Sequence, residues 1–131
     1  MPMIKIIVSL LLILLTYGCA SDHKVKVLDD SLKVYSAAIR WGDFHGATKF
    51  FKNPALVNKV DFNKLKSIKV TSYNVVQTSM SNSGSQLNQI VIIRFYDSND
   101  GREREITDKQ LWEYNEEREL WLLITPMPAF Q

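Results

Sequence analysis

The chain has 131 residues, a formal charge of +2, 46% hydrophobic and 23% charged residues, and a single cysteine. This length suits one domain, and one thiol excludes any disulfide within the chain, so stability must come from packing. The near-neutral total disfavours a nucleic-acid binder.

The first element is a short apolar segment. Lys5 precedes Ile6 to Leu15, a run broken only by Ser9, and Thr16-Tyr17-Gly18-Cys19 follows. Ten residues are too few to cross a bilayer, which takes roughly 20 apolar residues as a helix, but they suit the core of a secretion signal. After Cys19 the chain turns polar at once, with Ser21, Asp22, His23 and Lys24. The order charge, apolar run, small residue, thiol predicts a signal over residues 1–18, cut before Cys19. The alternative is an ordinary secretion signal cut near Gly18 or Ala20, with Cys19 incidental. A lone cysteine in an exported protein is a reactive liability, which lipidation would remove.

Residues 19–28 read as a lipidated cysteine and a short polar tether without Gly or Pro, and residues 29–131 as the single folded domain. Its first helix is expected to begin near Asp29-Asp30-Ser31, where short polar side chains cap free N–H groups and acids suit the positive end of the helix dipole. Leu28, Leu32, Tyr35 and Ile39 then form one apolar stripe. Gly42 ends the helix. Asp43 caps a second helix, Phe44 to Phe51, stopped by Asn53-Pro54. Residues 55–66 suggest only short helical turns.

From Ile68 the pattern becomes β. Ile68 to Met80 is a strand whose apolar phase shifts near Thr71-Ser72, predicting a bulge. Ser81 to Ser85 is a turn. Leu87 to Tyr96 is apolar on both faces at its centre and so reads as an interior strand. Asn99-Asp100-Gly101 forms a hairpin loop. Arg102 to Tyr114 and Leu120 to Ile124 are the third and fourth strands, the last stopped by Pro126 and Pro128. Short turns force antiparallel neighbours. The expected fold is therefore α+β, with N-terminal helices on one face of a curved four-stranded antiparallel sheet.

The charges divide unevenly. Residues 19–70 hold ten Lys/Arg against five Asp/Glu, and residues 71–131 hold five against nine. The distribution reads as solvated surface, since no block of like charge occurs. The alternative is a basic first half meeting an anionic surface such as lipid head groups or cell-wall polymer.

Gly18-Cys19 after the apolar run resembles the lipobox of bacterial lipoproteins, with Tyr17 and Thr16 departing from its usual residues. That resemblance implies three acyl chains on Cys19 and permanent attachment to a membrane. Ala20 after the cysteine implies sorting to the periplasmic face of the outer membrane of a Gram-negative bacterium. Separately, Ala38-Ile39-Arg40-Trp41-Gly42-Asp43-Phe44-His45-Gly46-Ala47 resembles the helix–Gly-Asp–helix corner of NTF2-like (cystatin-like superfamily) domains. That group implies the same helix-on-sheet fold over residues 29–126 and hosts enzymes, ligand binders and assembly parts alike, so it selects no function.

Motifs for chemistry are sparse. His23 and His45 lie 22 positions apart, without metal spacing. Asp97 to Gly101 lacks the ligand pattern of a calcium loop. Steroid-isomerase relatives of the resembled fold use an acid and a tyrosine in the helix–sheet cone, where this chain offers Tyr35, Tyr73, Asp108 and Tyr114. Tyr35, Trp41, Tyr73, Trp112 and Trp121 either pack as ordinary core or line an apolar cavity.

The expectation is a membrane-anchored envelope lipoprotein acting as a non-enzymatic interaction or accessory domain. It needs no cofactor and no metal; its partners are the membrane, through the N-terminal lipid, and an envelope protein or a second copy. A binder of a small hydrophobic ligand in the cone is the alternative, and a small hydrolase or isomerase the third reading.

Overall fold

The computed structural model of the chain describes residues 2–131, with the side chains of residue 2 and residues 5–21 outside the described set. Helix α1 spans Pro2–Arg40, followed by α2 Phe44–Thr48, α3 Ala55–Asn58 and α4 Phe62–Leu65. Strands β1 Ile68–Met80, β2 Gln86–Asp97, β3 Glu103–Asn115 and β4 Leu120–Leu123 form one open antiparallel sheet in the order β1-β2-β3-β4. The fold is α+β, as the sequence predicts.

The predicted stripe on α1 faces the sheet. Tyr35 and Ile39 are fully buried and Leu28 nearly so. The helix does not begin at Asp29-Asp30-Ser31, however, but runs through them. Ser31 Oγ donates to the Val27 carbonyl one turn back at 2.7 Å instead of capping a free N–H, and Asp29 pairs with Lys33 at 2.9 Å along the helix. Nothing in residues 20–28 breaks a helix, because no Gly or Pro occurs there. The stretch expected as a tether accordingly joins the body. Trp121 Nε1 donates to the Lys24 carbonyl at 3.0 Å, Lys24 Nζ donates to Ser85 Oγ at 3.0 Å, and Leu28 is buried.

The α1–α2 corner forms as expected. Asp43 N–H donates to the Ala38 carbonyl at 2.8 Å and Gly42 N–H to the Ile39 carbonyl at 3.3 Å, with Gly42 at φ +78°. This pairing satisfies the last carbonyls of α1 and needs a residue without Cβ at the left-handed position. Asp43 Oδ1 then accepts from Gly46 N–H at 3.0 Å, capping α2. Helix α2 stops at Thr48, three residues before the expected end. The Phe50 and Phe51 N–H groups still close tight turns onto the Ala47 and Thr48 carbonyls at 3.2 Å, but the next backbone groups pair with β4: Leu123 N–H donates to the Phe50 carbonyl at 2.7 Å and Lys52 N–H to the Leu123 carbonyl at 2.9 Å.

Strand β1 carries the predicted bulge at Thr71 and a second one at Val76. Strand β2 is interior. Its inner residues Leu87, Val91, Ile93 and Phe95 are buried against Tyr35, Ile39 and Trp112 in a single core. The chain after β4 returns Phe130 to that core, where its ring meets Phe95 at 5.0 Å and Phe44 at 5.5 Å, edge to face.

Candidate functional site

Residues of one parity on an antiparallel sheet share one face. Across β2 and β3 the register pairs Leu87 with Trp112, Gln89 with Gln110, Val91 with Asp108 and Ile93 with Ile106, while Tyr73 of β1 pairs with Ile93. The face covered by α1 therefore holds Gln89, Gln110, Asp108 and Tyr73 within an otherwise apolar core.

Gln110 is the hub of these groups. Its side-chain N–H₂ donates to Asp108 Oδ2 at 2.7 Å and to the Tyr73 hydroxyl at 2.9 Å, and its carbonyl oxygen accepts from Trp112 Nε1 at 3.0 Å and from Gln89 Nε2 at 3.4 Å. The indole can only donate, so it fixes which end of the amide faces which neighbour. Gln89, Asp108 and Gln110 are each under 8% exposed. The Tyr35 hydroxyl, from α1, is buried without a hydrogen-bond partner.

Burial dominates the electrostatics. It pushes the Asp108 carboxyl up to about 6, against the opposing hydrogen bond from Gln110. It also pushes the Tyr73 hydroxyl up to about 12, with the Gln110 bond opposing and the Asp108 charge adding to the rise. Tyr35 is also raised well above the ordinary tyrosine value, by burial first and then by Asp108 and Tyr73. No cation pairs with Asp108 among the described residues. The cluster can hold a proton near neutral pH at Asp108 and offer an unused hydroxyl at Tyr35.

The structure thus brings together three residues singled out from the sequence, Tyr35, Tyr73 and Asp108. Tyr114 does not join them; its ring tilts on Trp121 at 5.4 Å and lies under Lys24 Nζ at 4.7 Å. Of the five aromatic residues considered for a cavity, Tyr35, Trp112 and Trp121 are packed solid. The Tyr35 ring meets Trp112 at 5.3 Å and Phe50 at 5.8 Å, edge to face. Trp41 lies outside, 77% exposed, beneath the Arg40 guanidinium at 4.6 Å. Tyr73 and Trp41 share a shallow surface depression with Ser36, Ala37 and Arg40. Cys19, the expected lipid-bearing residue, lies outside the residues whose side chains are described. Among the described residues no three His, Cys, Asp or Glu side chains gather as metal ligands.

Gln89 and Gln110 were not anticipated. The signal was present, since Gln89 shares its parity with Val91 and Gln110 with Trp112, so both had to face inward.

No protein-family model matches the sequence, and no curated protein shows significant similarity to it. Among solved structures, the chain is similar to a SEC-C motif containing protein from Psychrobacter arcticus, at 14% identity and a TM-score of 0.56. The match covers 80% of this chain and 62% of that one. At this identity the likeness shows a shared fold.

Proposed function

We propose that this protein is a lipid-anchored cell-envelope domain that works by holding a partner protein rather than by chemistry. The observation that carries the reading is the outer half of β1. Residues Asn74 to Met80 are all exposed at the edge of the sheet, and Val75, Val76 and Met80 are 50%, 59% and 42% exposed. Residues 70–87 include no charged side chain. Edge strands are ordinarily guarded by lysine, proline or a covering element. Here the bulge at Val76 twists the edge, but no charge blocks it, and its free backbone groups suit an added strand. The occupant on this reading is an extended, uncharged segment of another envelope protein.

The anchor follows from Gly18-Cys19 and the apolar run before it, which read as a lipoprotein signal, and the helix-on-sheet domain is taken as NTF2-like. Three acyl chains would hold the protein permanently, since a second chain already converts marginal binding into stable anchoring. Lys24, five residues after Cys19, already touches Ser85 and Trp121, so the domain would sit close against the outer-membrane surface. Arg40, at the other end of α1, would lie about 24 Å along the helix from Lys24, at 1.5 Å per residue, so the basic surface near it would face away from the lipid.

The test is site-specific photocrosslinking of full-length protein in its own envelope, with the photoreactive residue at Val76 or, as a control, at exposed Val25. One discrete adduct with another protein from Val76 alone, lost in a Val75→Lys variant, is the expected result. A self-adduct would replace the foreign strand by a second copy, and equal labelling from Val25 and Val76 would overturn the reading.

One observation favours a second reading, in which the helix–sheet cone binds a small ligand. The unpartnered Tyr35 hydroxyl beside Asp108 and Tyr73 offers a hydrogen-bond donor inside an apolar setting. The same acid and tyrosines are what the hydrolase or isomerase reading requires. A co-purified small molecule in native mass spectra of protein from its own envelope, absent from Tyr35→Phe, would favour this reading over the first.

A further inference from the structure

A well-formed depression on the body lies where α1, α2, α4 and the start of β1 meet. It encloses about 380 Å³, within the size of small-molecule sites. The buried residues Phe44, Leu65 and Ile68 contribute to its lining. Three cations border it: Arg40 at the end of α1, Lys66 just after α4, and Lys69 in β1. The one carboxylate in the lining, Asp43, is engaged in capping α2 through Gly46 N–H.

The cations have little to do within the fold. Arg40 Nη1 donates to the Val70 carbonyl at 2.6 Å, which fixes the guanidinium and leaves its other N–H groups free of partners among the described contacts. Lys66 and Lys69 are exposed, and neither belongs to a described ion pair. Two aromatic platforms stand beside them. Trp41 is 77% exposed and stacks on Arg40, although Trp is the side chain that gains most from burial. His45 lies flat on Phe62, with ring centroids 3.8 Å apart and planes within 9°. A fixed guanidinium, two free ammonium groups and exposed ring faces around one concavity match a ligand with negative charge next to a flat ring.

We propose that this groove binds small organic anions that carry an aromatic ring. The charge is held by Lys66, Lys69 and the free side of Arg40, and the ring is held against Trp41. The site is separate from the buried cluster around Gln110 and from the Asn74–Met80 half of β1, and it does not depend on the reading of either.

Trp41 supplies the readout, because Trp112 and Trp121 are no more than 1% exposed and Trp41 alone emits from water. Full-length protein in detergent micelles is titrated with phenyl phosphate, inorganic phosphate and benzyl alcohol. Phenyl phosphate should quench the exposed emission saturably, with a dissociation constant on the order of 1 mM, as befits about ten heavy atoms. Inorganic phosphate and benzyl alcohol should bind at least several-fold more weakly. The double variant K66A/K69A, which alters two exposed side chains and leaves the core intact, should weaken phenyl phosphate roughly five- to tenfold at low salt. Calorimetry on Trp41→Phe separates loss of signal from loss of binding, and retained heat with a lost signal supports the assignment. Equal binding of all three probes, no saturable binding of phenyl phosphate, or an unchanged affinity in K66A/K69A would overturn it.

Discussion

Stability is expected to fall by up to about 3 kcal/mol between pH 4 and pH 7 on account of Asp108 alone. The folded protein holds this carboxyl's proton until about pH 6, whereas an unfolded chain releases it near pH 3.8. Below both values the group is neutral in either state and costs nothing. As pH rises through the window, unfolding releases the proton and lets the charge reach water, so the unfolded state gains. A displacement of about two pKa units corresponds to about 3 kcal/mol, lost progressively and in full above pH 6. Asp100, held down to about 2 by Arg104, and Glu113, lowered by Lys52, slope the opposite way, so the total curve mixes signs. The informative quantity is the difference between wild type and Asp108→Asn in urea denaturation from pH 4 to pH 8. The variant should be the more stable at pH 8 and should lose that advantage near pH 4. Parallel curves would place the Asp108 carboxyl in water.

Replacing Trp112 with alanine should cost about 3–5 kcal/mol, the range for deleting a large buried aromatic side chain. The indole is fully buried, stands edge to face with Tyr35 and Phe50, and satisfies the Gln110 carbonyl oxygen. Its loss opens a cavity and also removes the shorter of the two hydrogen bonds to that oxygen, leaving only the 3.4 Å bond from Gln89, and the second effect adds to the first. Single domains are stable by only about 5–15 kcal/mol, so this one change should bring the fold near its limit. Trp41→Ala is the matched control, since a 77% exposed side chain should matter by no more than about 0.5 kcal/mol. Denaturant midpoints that fall equally for both would contradict the assignment of core and surface.

The sheet was the most legible part of the chain. The continuous apolar centre of Leu87 to Tyr96 and turn residues at Ser81–Ser85 and Asn99–Gly101 located β2 and its hairpins within a residue or two. Gly42 and Asp43 marked the α1–α2 corner, because few other residue pairs make that exchange of a left-handed cap for a helix start. The start of α1 was misjudged. Asp29, Asp30 and Ser31 have the chemistry of caps, but each also lives on the surface of a helix, and only Leu28 and Lys24 against the sheet decide which use prevails. The end of α2 was lost to a tertiary contact, the pairing of Phe51 with Leu123, that no local pattern records. Within the site, Tyr35, Tyr73 and Asp108 could be named but not joined, because the join is Gln110, two strands across the sheet from Tyr73. Trp41 illustrates the reverse case: its type suggested core, and its place just past the last turn of α1 put it in water.

The account of where this protein works rests on Cys19. Mass spectrometry of the N-terminal peptide, taken from protein extracted from envelope membranes, tests it most directly. The predicted peptide begins at Cys19, lacks residues 1–18 and carries acyl mass on its thiol and terminus. A peptide beginning anywhere else, or an unmodified Cys19 on protein recovered in the soluble fraction, would contradict the account.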